Sequence, residues 1–237
     1  MYKIKDIEKD ISRYKRKNKA KKLHRFFKTG VEEYAEGDIF LGLKTEEIKI
    51  IAKKYREISL SGLKELLRSK IHDYRNVAIR ILNYQFQKKD IKAKKRIYSF
   101  YLENLSGINN WDLVDNSAHK IMGAYLYISG NPRKILFSLA RSNNLWEKRI
   151  AMIATYYFIK EQDFHDALKI AEILLYDKED LIHKAVGWML REIGNRDMLI
   201  EEQFLKKNYK DMPRTMLRYA IEKFPENKRQ DYLKGRI

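Results

Sequence analysis

The chain has no cysteine, only three prolines and ten glycines, and no long apolar run among its 237 residues. The absence of cysteine excludes disulfides, thiol catalysis and cysteine-ligated zinc, and it fits a reducing compartment. A transmembrane helix would need about 18 consecutive apolar residues, and no such stretch is present. The N-terminal sequence MYKIKDIEKD lacks the apolar segment of a signal peptide, so we expect a cytoplasmic protein.

Positive charge, in contrast, is in large excess. Lys and Arg total 50 against 32 Asp and Glu, which gives a net charge of +18. Apolar residues make up 44% of the chain, enough for a packed core, so wholesale disorder is not expected. The surplus favours nucleic acid as the partner, ahead of an anionic membrane surface or a role in solubility. Two basic segments, residues 13–25 and 88–96, are interpreted as solvated helix faces or as surfaces that follow phosphates.

The sparse proline and glycine and the apolar spacing predict an all-α fold. In YRNVAIRILNYQF, apolar residues recur at helical intervals, and no sustained two-residue alternation is found. Asn131-Pro132 and Met212-Pro213 are each interpreted as an N-cap followed by a first helical proline, and Pro225 as a stop. Residues 29–45 hold three of the ten glycines and predict an ordered loop.

Four helical stretches also resemble one another. Each has a basic residue shortly before an alanine, and the alanines are 40, 33 and 34 residues apart: Ala78, Ala118, Ala151 and Ala185. That period is typical of helix-pair repeats, and small residues at matching positions allow close helix packing. The pattern predicts a right-handed stack of helical hairpins with a concave face. We expect one domain over 1–237, with N-terminal helices and an ordered loop to residue 44 and repeats from 45.

The segment NNWDLVD places a tryptophan and an acid one helical turn apart. Trp111 and Asp115 share a face if this segment is helical. Arg149 follows a predicted helix start at Asn143-Asn144, and Trp188 follows a helical glycine. Taken singly, each has an ordinary structural explanation, as a core aromatic, an ion pair or a surface cation. Together on a basic surface, they can stabilise a cation next to a phosphate, such as a sugar oxocarbenium ion.

Five separated motifs together resemble one family. In chain order they are RFFKTGVEEYAEGDIFLGLKTEE, NNWDLVD, LWEKRIAMI, HKAVGWMLREIG and MPRTMLRYAIEKF, which cover residues 25–224. They resemble the AlkD-type DNA alkylation repair glycosylases. The resemblance implies stacked HEAT-like helical repeats, an α-solenoid, with DNA along a basic concave face. It also implies hydrolysis of the N-glycosidic bond of cationic alkylated purines of the 3-methyladenine and 7-methylguanine type.

The resemblance also implies roles for four residues. By motif, Trp111 and Trp188 correspond to the aromatic pair that contacts the deoxyribose, and Asp115 to the carboxylate that stabilises the oxocarbenium ion and positions water. Arg149 corresponds to the arginine near the backbone phosphate. A cationic purine is already a good leaving group, so neither a general acid nor a metal is needed. No metal or other cofactor is expected, and no histidine has metal-ligand spacing.

Further residues fall in the family-like segments with weaker indications. Tyr34 and Lys44 are candidates for the DNA-binding face. Arg214 and Arg218 are candidate phosphate ligands, but pairing with Glu222 on the same helix is favoured for them. We expect a monomer that binds double-stranded DNA containing alkylated bases and does not bind membrane.

Two other hypotheses remain open from the sequence. One is a non-catalytic HEAT-like protein that binds distorted or branched DNA. The other, less favoured, is a repeat scaffold for acidic protein partners.

Overall fold

The computed structural model describes residues 2–87 and 90–237, and this part of the chain is helical without any strand longer than an isolated bridge. The predicted all-α class is confirmed. The chain divides into two compact units, Met1–Ser117 and Ala118–Ile237. Lys88 and Lys89 of the second basic segment lie outside the described residues.

The first unit is built around one long helix. Its helices are α1 (Ile4–Ser12), α2 (Lys17–Phe26), α3 (Thr45–Lys54), α4 (Leu60–Leu67), α5 (His72–Gln87), α6 (Ile91–Glu103) and α7 (Trp111–Ala118), whose last residue is the first of the second unit. Helix α5 packs against α3, α4 and α6. Its apolar residues recur at helical spacing and form one face, which these contacts bury: Val77, Ile81 and Leu82 are fully buried.

Between α2 and α3 the chain forms the predicted loop, and the structure shows why it is ordered. The Asp73 carboxylate accepts hydrogen bonds from the backbone N–H groups of Leu41 (2.7 Å) and Leu43 (3.2 Å). Gly42 has φ +88°, and a Cβ there would lie 2.5 Å from the Arg16 carbonyl oxygen. Only glycine therefore fits this close approach of the loop to α2.

The second unit is arranged around another long helix. Its helices are α8 (Ala124–Ser129), α9 (Lys134–Ala140), α10 (Leu145–Ala154), α11 (Tyr156–Lys160), α12 (His165–Ile173), α13 (Asp180–Gly194), α14 (Met198–Asn208), α15 (Arg214–Ala220) and α16 (Glu226–Lys234). Helix α13 packs against α10, α12, α14 and α15. A π-helical turn, His119–Gly123, precedes α8.

The repeat alanines occupy the positions that the sequence pattern requires. Ala78, Ala118, Ala151 and Ala185 are all fully buried. Ala78 lies in the long helix of the first unit, and Ala185 in that of the second. A larger side chain at any of these positions would push packed helices apart, because protein interiors have few voids.

The proline boundaries were predicted less accurately. Asn131 is not an N-cap, because α8 ends with left-handed Gly130 and α9 begins only at Lys134. Pro213 is itself the N-cap of α15, so the helix begins one residue later than predicted. Pro225 does follow the end of a helical segment, but it is also the N-cap of α16. The local signals thus marked all three boundary regions, and the predicted residue was wrong for the N-caps Asn131 and Met212 but right for the stop at Pro225.

One carboxyl group is buried in the second unit without an ion pair. Glu201, near the start of α14, is 1% exposed, and its Oε1 has no hydrogen-bond partner. A Cβ on Gly194 would overlap its carboxyl group, so that glycine makes room for it. Burial raises the pKa of Glu201 to about 9, with Glu202 adding to the rise. At neutral pH this glutamate is therefore protonated.

Candidate functional site

The helix that carries Trp111 and Asp115 starts at a buried asparagine. Asn110 Oδ1 accepts a hydrogen bond from the Trp111 backbone N–H (2.8 Å), and Asn110 Nδ2 donates to Asp38 (3.2 Å). Asp38 in turn pairs with Arg75 at 2.7 Å. Trp111 and Asp115 are both half-buried and lie one turn apart on α7. The prediction that one helix carries both residues is confirmed.

The Trp111 ring is held by phenylalanines from the N-terminal segment. Its ring stacks on Phe27 at a centroid distance of 5.1 Å and an interplanar angle of 13°. Phe26 meets it edge-on at 5.9 Å and is itself 64% exposed. Phe27 also stacks on Phe40, which comes from the ordered loop. Packing therefore fixes the orientation of Trp111 and leaves part of the ring accessible.

A second anchor holds α7 against α5. The Asp112 carboxylate lies 2.8 Å from His72 Nε2 and accepts a hydrogen bond from Asn76 Nδ2 at 2.9 Å. The His72 ring stacks on Phe40 at 4.4 Å. The aromatic cluster and this polar network share residues, so they position Trp111 together. Neither could be found from the sequence, since His72 and Phe40 lie far from α7 along the chain.

Arg149 lies in the second unit, on α10. Asn144 caps this helix by accepting hydrogen bonds from the backbone N–H groups of Trp146 (2.8 Å) and Glu147 (3.2 Å), as the sequence predicted. Arg149 is only 5% exposed, and its guanidinium donates to the carbonyl of Leu181 on α13. The arginine is therefore fixed by the neighbouring helix rather than extended into solvent.

Trp188 lies two turns after Leu181 on α13 and is half-buried. Its Nε1 donates to Glu192 Oε1 at 3.3 Å, and its ring lies 5.8 Å from Tyr156. The preceding Gly187 has a packing reason: a Cβ there would lie 2.5 Å from both the Met216 carbonyl oxygen and Tyr219 Cβ of α15. Without a side chain at 187, α13 and α15 approach closely enough to hold the Trp188 segment.

The weaker candidates of the first unit, Lys44 and Tyr34, differ in their exposure. Lys44 is exposed at the N-cap of α3, where its backbone N–H donates to Glu47 at 2.7 Å. Tyr34 packs against the cluster of Phe27 and Phe40, and its hydroxyl lies 3.4 Å from the Phe26 carbonyl oxygen. Lys44 is thus accessible to a ligand, whereas the Tyr34 ring contributes to the packing below Trp111.

The two arginines of α15 do not form the ion pairs with Glu222 that the sequence indicated. Arg214 and Arg218 are exposed on α15. Glu222 instead pairs with Arg191 of α13 and lies 3.6 Å from Lys223. Within residues 2–87 and 90–237, neither Arg214 nor Arg218 forms an ion pair, so the prediction of a pair with Glu222 is wrong.

The first basic segment forms a helix with a cationic surface. Helix α2 contains no acidic residue in its first turn and buries none of its side chains. Its exposed cations are Lys17, Lys21, Lys22 and Arg25. Arg16, just before the helix, pairs with Glu47 at 2.6 Å, and Lys19 donates to the Leu43 carbonyl. These two side chains dock the helix, while the others remain available to a polyanion.

The described part of the chain gives no support for metal binding or for membrane crossing. No group of three or more His, Asp or Glu side chains is arranged to hold a metal ion there. No helix found there combines the length and apolar character that membrane crossing requires.

A family model described as DNA alkylation repair enzyme matches residues 7–224. The chain belongs to the DNA alkylation repair enzyme family. The match spans most of the sequence and both compact units, so it assigns this protein a role in DNA alkylation repair. The resemblance inferred from the five motifs is thereby confirmed. A search of curated proteins gave no significant match.

Solved structures agree with this family in their fold. A predicted DNA alkylation repair enzyme from Enterococcus faecalis superposes with a TM-score of 0.67 at 16% identity, over 90% of this chain and 97% of that one. AlkD2 from Streptococcus mutans gives 0.52 at 19% identity, over 88% and 98%. The protein smu.31 from Streptococcus mutans UA159 gives 0.52 at 18%, over 90% and 98%. These identities establish the shared helical-repeat fold alone.

Proposed function

We propose that this member of the DNA alkylation repair enzyme family is a monofunctional DNA glycosylase. It hydrolyses the N-glycosidic bond of cationic alkylated purines, of the 3-methyladenine and 7-methylguanine type, in duplex DNA. The observation that carries the proposal is the half-exposed pair of Trp111 and Asp115 on one turn of α7, in a chain of this family. The net charge of +18 supports DNA as the partner.

The chemistry follows from the charge on the substrate. The C1′–N bond breaks as its electron pair moves to the purine, which neutralises the positive charge of the base. The sugar becomes an oxocarbenium ion, and water then bonds to C1′ and loses a proton. Asp115 stabilises the sugar cation and orients this water. No general acid is required, because the leaving base is neutral once it departs.

The remaining candidates bind the substrate. Trp111 and Trp188 contact the deoxyribose, where aromatic faces attract the developing positive charge. Arg149 lies near the backbone phosphate, and its hydrogen bond to the Leu181 carbonyl fixes its orientation. Lys44, Tyr34, Arg214 and Arg218 are proposed as DNA-binding residues, and the exposure of Lys44 and of both arginines supports this assignment.

The test is single-turnover excision from duplexes that contain one 7-methylguanine or 3-methyladenine. We expect the wild type to release free base and Asp115→Asn to be slower by a hundredfold or more, since electrostatic groups of this kind contribute about 3–4 kcal/mol. DNA binding should survive the substitution. Asp211→Asn is a matched control, because Asp211 is an exposed aspartate, and it should excise at the wild-type rate. Equal rates for Asp115→Asn and the wild type would overturn the role of Asp115.

The competing hypothesis is a non-catalytic protein that binds distorted or branched DNA. It predicts no base release by the wild type, with salt-sensitive DNA binding retained by every variant. That result would replace the glycosylase proposal.

A further inference from the structure

One arginine in the first unit has an unusual environment. Arg80 lies on α5 and is half-buried. Its Nε donates to Asn76 Oδ1 at 3.0 Å. Among the described residues, its two terminal nitrogens make no hydrogen bond and no carboxylate forms an ion pair with it. Burial lowers the pKa of Arg80, because its positive charge is poorly solvated, and the Asp112 carboxylate offsets part of this shift without forming an ion pair.

Two other arginines of this unit, the buried Arg75 and the partly exposed Arg16, differ from Arg80 in their partners. Arg75 forms two hydrogen bonds of 2.7 Å to the Asp38 carboxylate. Arg16 bonds both oxygens of Glu47, at 2.6 and 2.7 Å. A cation that leaves water is normally compensated in this way, because desolvation without a partner is costly. Arg80 is instead oriented by a neutral amide, the Asn76 side chain. An anion from outside the protein can therefore form the ion pair that its guanidinium lacks among the described residues.

The register of α5 against α7 locates this guanidinium. Asn76 bonds the Asp112 carboxylate (2.9 Å), and Asn83 Nδ2 donates to the Asn116 carbonyl (2.8 Å). Arg80 is four residues after Asn76 and three before Asn83, so it shares their helix face. It therefore lies beside α7, level with the turn that ends at Asp115.

We propose that Arg80 binds a backbone phosphate of DNA next to the nucleotide that faces Trp111 and Asp115. The inference takes DNA as the partner from the proposed function, but it does not depend on base excision. Asn76 fixes the Nε edge of the guanidinium, which leaves Nη1 and Nη2 to bind two phosphate oxygens. Arginine suits this geometry because its planar fork matches phosphate. The Asp112–Asn76–Arg80 chain of contacts thus couples the start of α7 to the phosphate.

The test measures affinity for an undamaged duplex against KCl concentration, for the wild type, Arg80→Gln and Arg80→Lys. Loss of one phosphate contact should lower the slope of log K against log salt by about 0.9. We expect this decrease and roughly tenfold weaker binding for Arg80→Gln, because hydrogen bonds to charged groups contribute at least that much. Arg80→Lys should keep the slope and lose part of the affinity. Arg56→Gln, which removes the same charge from a surface pair with Glu57, should leave both unchanged.

Thermal unfolding of each variant shows whether the fold is retained. A wild-type slope for Arg80→Gln would overturn this inference and leave the glycosylase proposal intact. Absence of base release by a wild type that shows the Arg80-dependent slope would overturn the glycosylase proposal alone. A wild type without salt-dependent DNA binding would overturn both.

Discussion

Replacement of the buried Glu201 by glutamine should make stability less dependent on pH. The pKa of this carboxyl is about 9 in the folded protein and about 4.5 in an exposed glutamate. The folded state therefore holds one more proton than the unfolded state between these two pH values. The free energy of unfolding falls as pH rises across that window, by about 1.4 kcal/mol for each pH unit. From pH 4.5 to pH 7 the loss amounts to about 3 kcal/mol.

Urea denaturation at pH 5, 6, 7 and 8 measures this effect. Glutamine has nearly the same shape and does not titrate, so the stability of Glu201→Gln relative to the wild type should increase steadily with pH. Its buried amide adds a constant cost of about 1–3 kcal/mol, which does not affect the slope. Glu172→Gln removes one charge from an exposed pair with Lys207 and should run parallel to the wild type. Parallel curves for Glu201→Gln as well would show that Glu201 is ionised in the folded protein and would refute the argument.

Two further substitutions test packing and electrostatics elsewhere. Gly187→Ala should destabilise the protein by about 1–3 kcal/mol in urea denaturation, because the new Cβ would lie 2.5 Å from the Met216 carbonyl and from Tyr219; wild-type stability would show that α13 and α15 separate without cost. The pKa of Glu47 is lowered to about 2, first by its hydrogen bonds to Arg16. Its stabilisation is thus present above pH 4.5 and lost as pH falls towards 2. Glu47→Gln should lower the stability at pH 6 and make the melting temperature decrease less as pH falls towards 2. A variant whose melting temperature decreases with acid as much as that of the wild type would contradict the assignment.

The sequence was most informative where the determining interactions are local. Apolar residues at helical spacing predicted the long helices α5 and α13, because one face of each had to be buried. The four-residue spacing of Trp111 and Asp115 needed only a helix to place them together. Cap signals were less reliable: Asn131-Pro132 has the right composition, but the chain turns at Gly130 and delays the next helix.

The support of the site depends on distant partners, which local patterns do not encode. Phe27 and Phe40 stack beneath Trp111 from the N-terminal segment, and no feature of NNWDLVD indicates them. Arg80 is one basic residue among 50 in the sequence. It is distinguished by the lack of a carboxylate partner in the described structure, which is a property of the tertiary fold. Arg149, a candidate from its motif, is also more buried than a surface cation would be.

The three tryptophans give the protein built-in fluorescent probes. Trp111 and Trp188 are half-buried, one in each compact unit, while Trp146 is 9% exposed within α10. A soluble quencher reaches accessible indoles first, so the emission of Trp111 and Trp188 separates from that of Trp146. Trp111→Phe then leaves only the signal of the second unit, and Trp146→Phe combined with Trp188→Phe leaves only that of the first. The arrival of a ligand at either unit can thus be followed separately in real time, without attaching a dye.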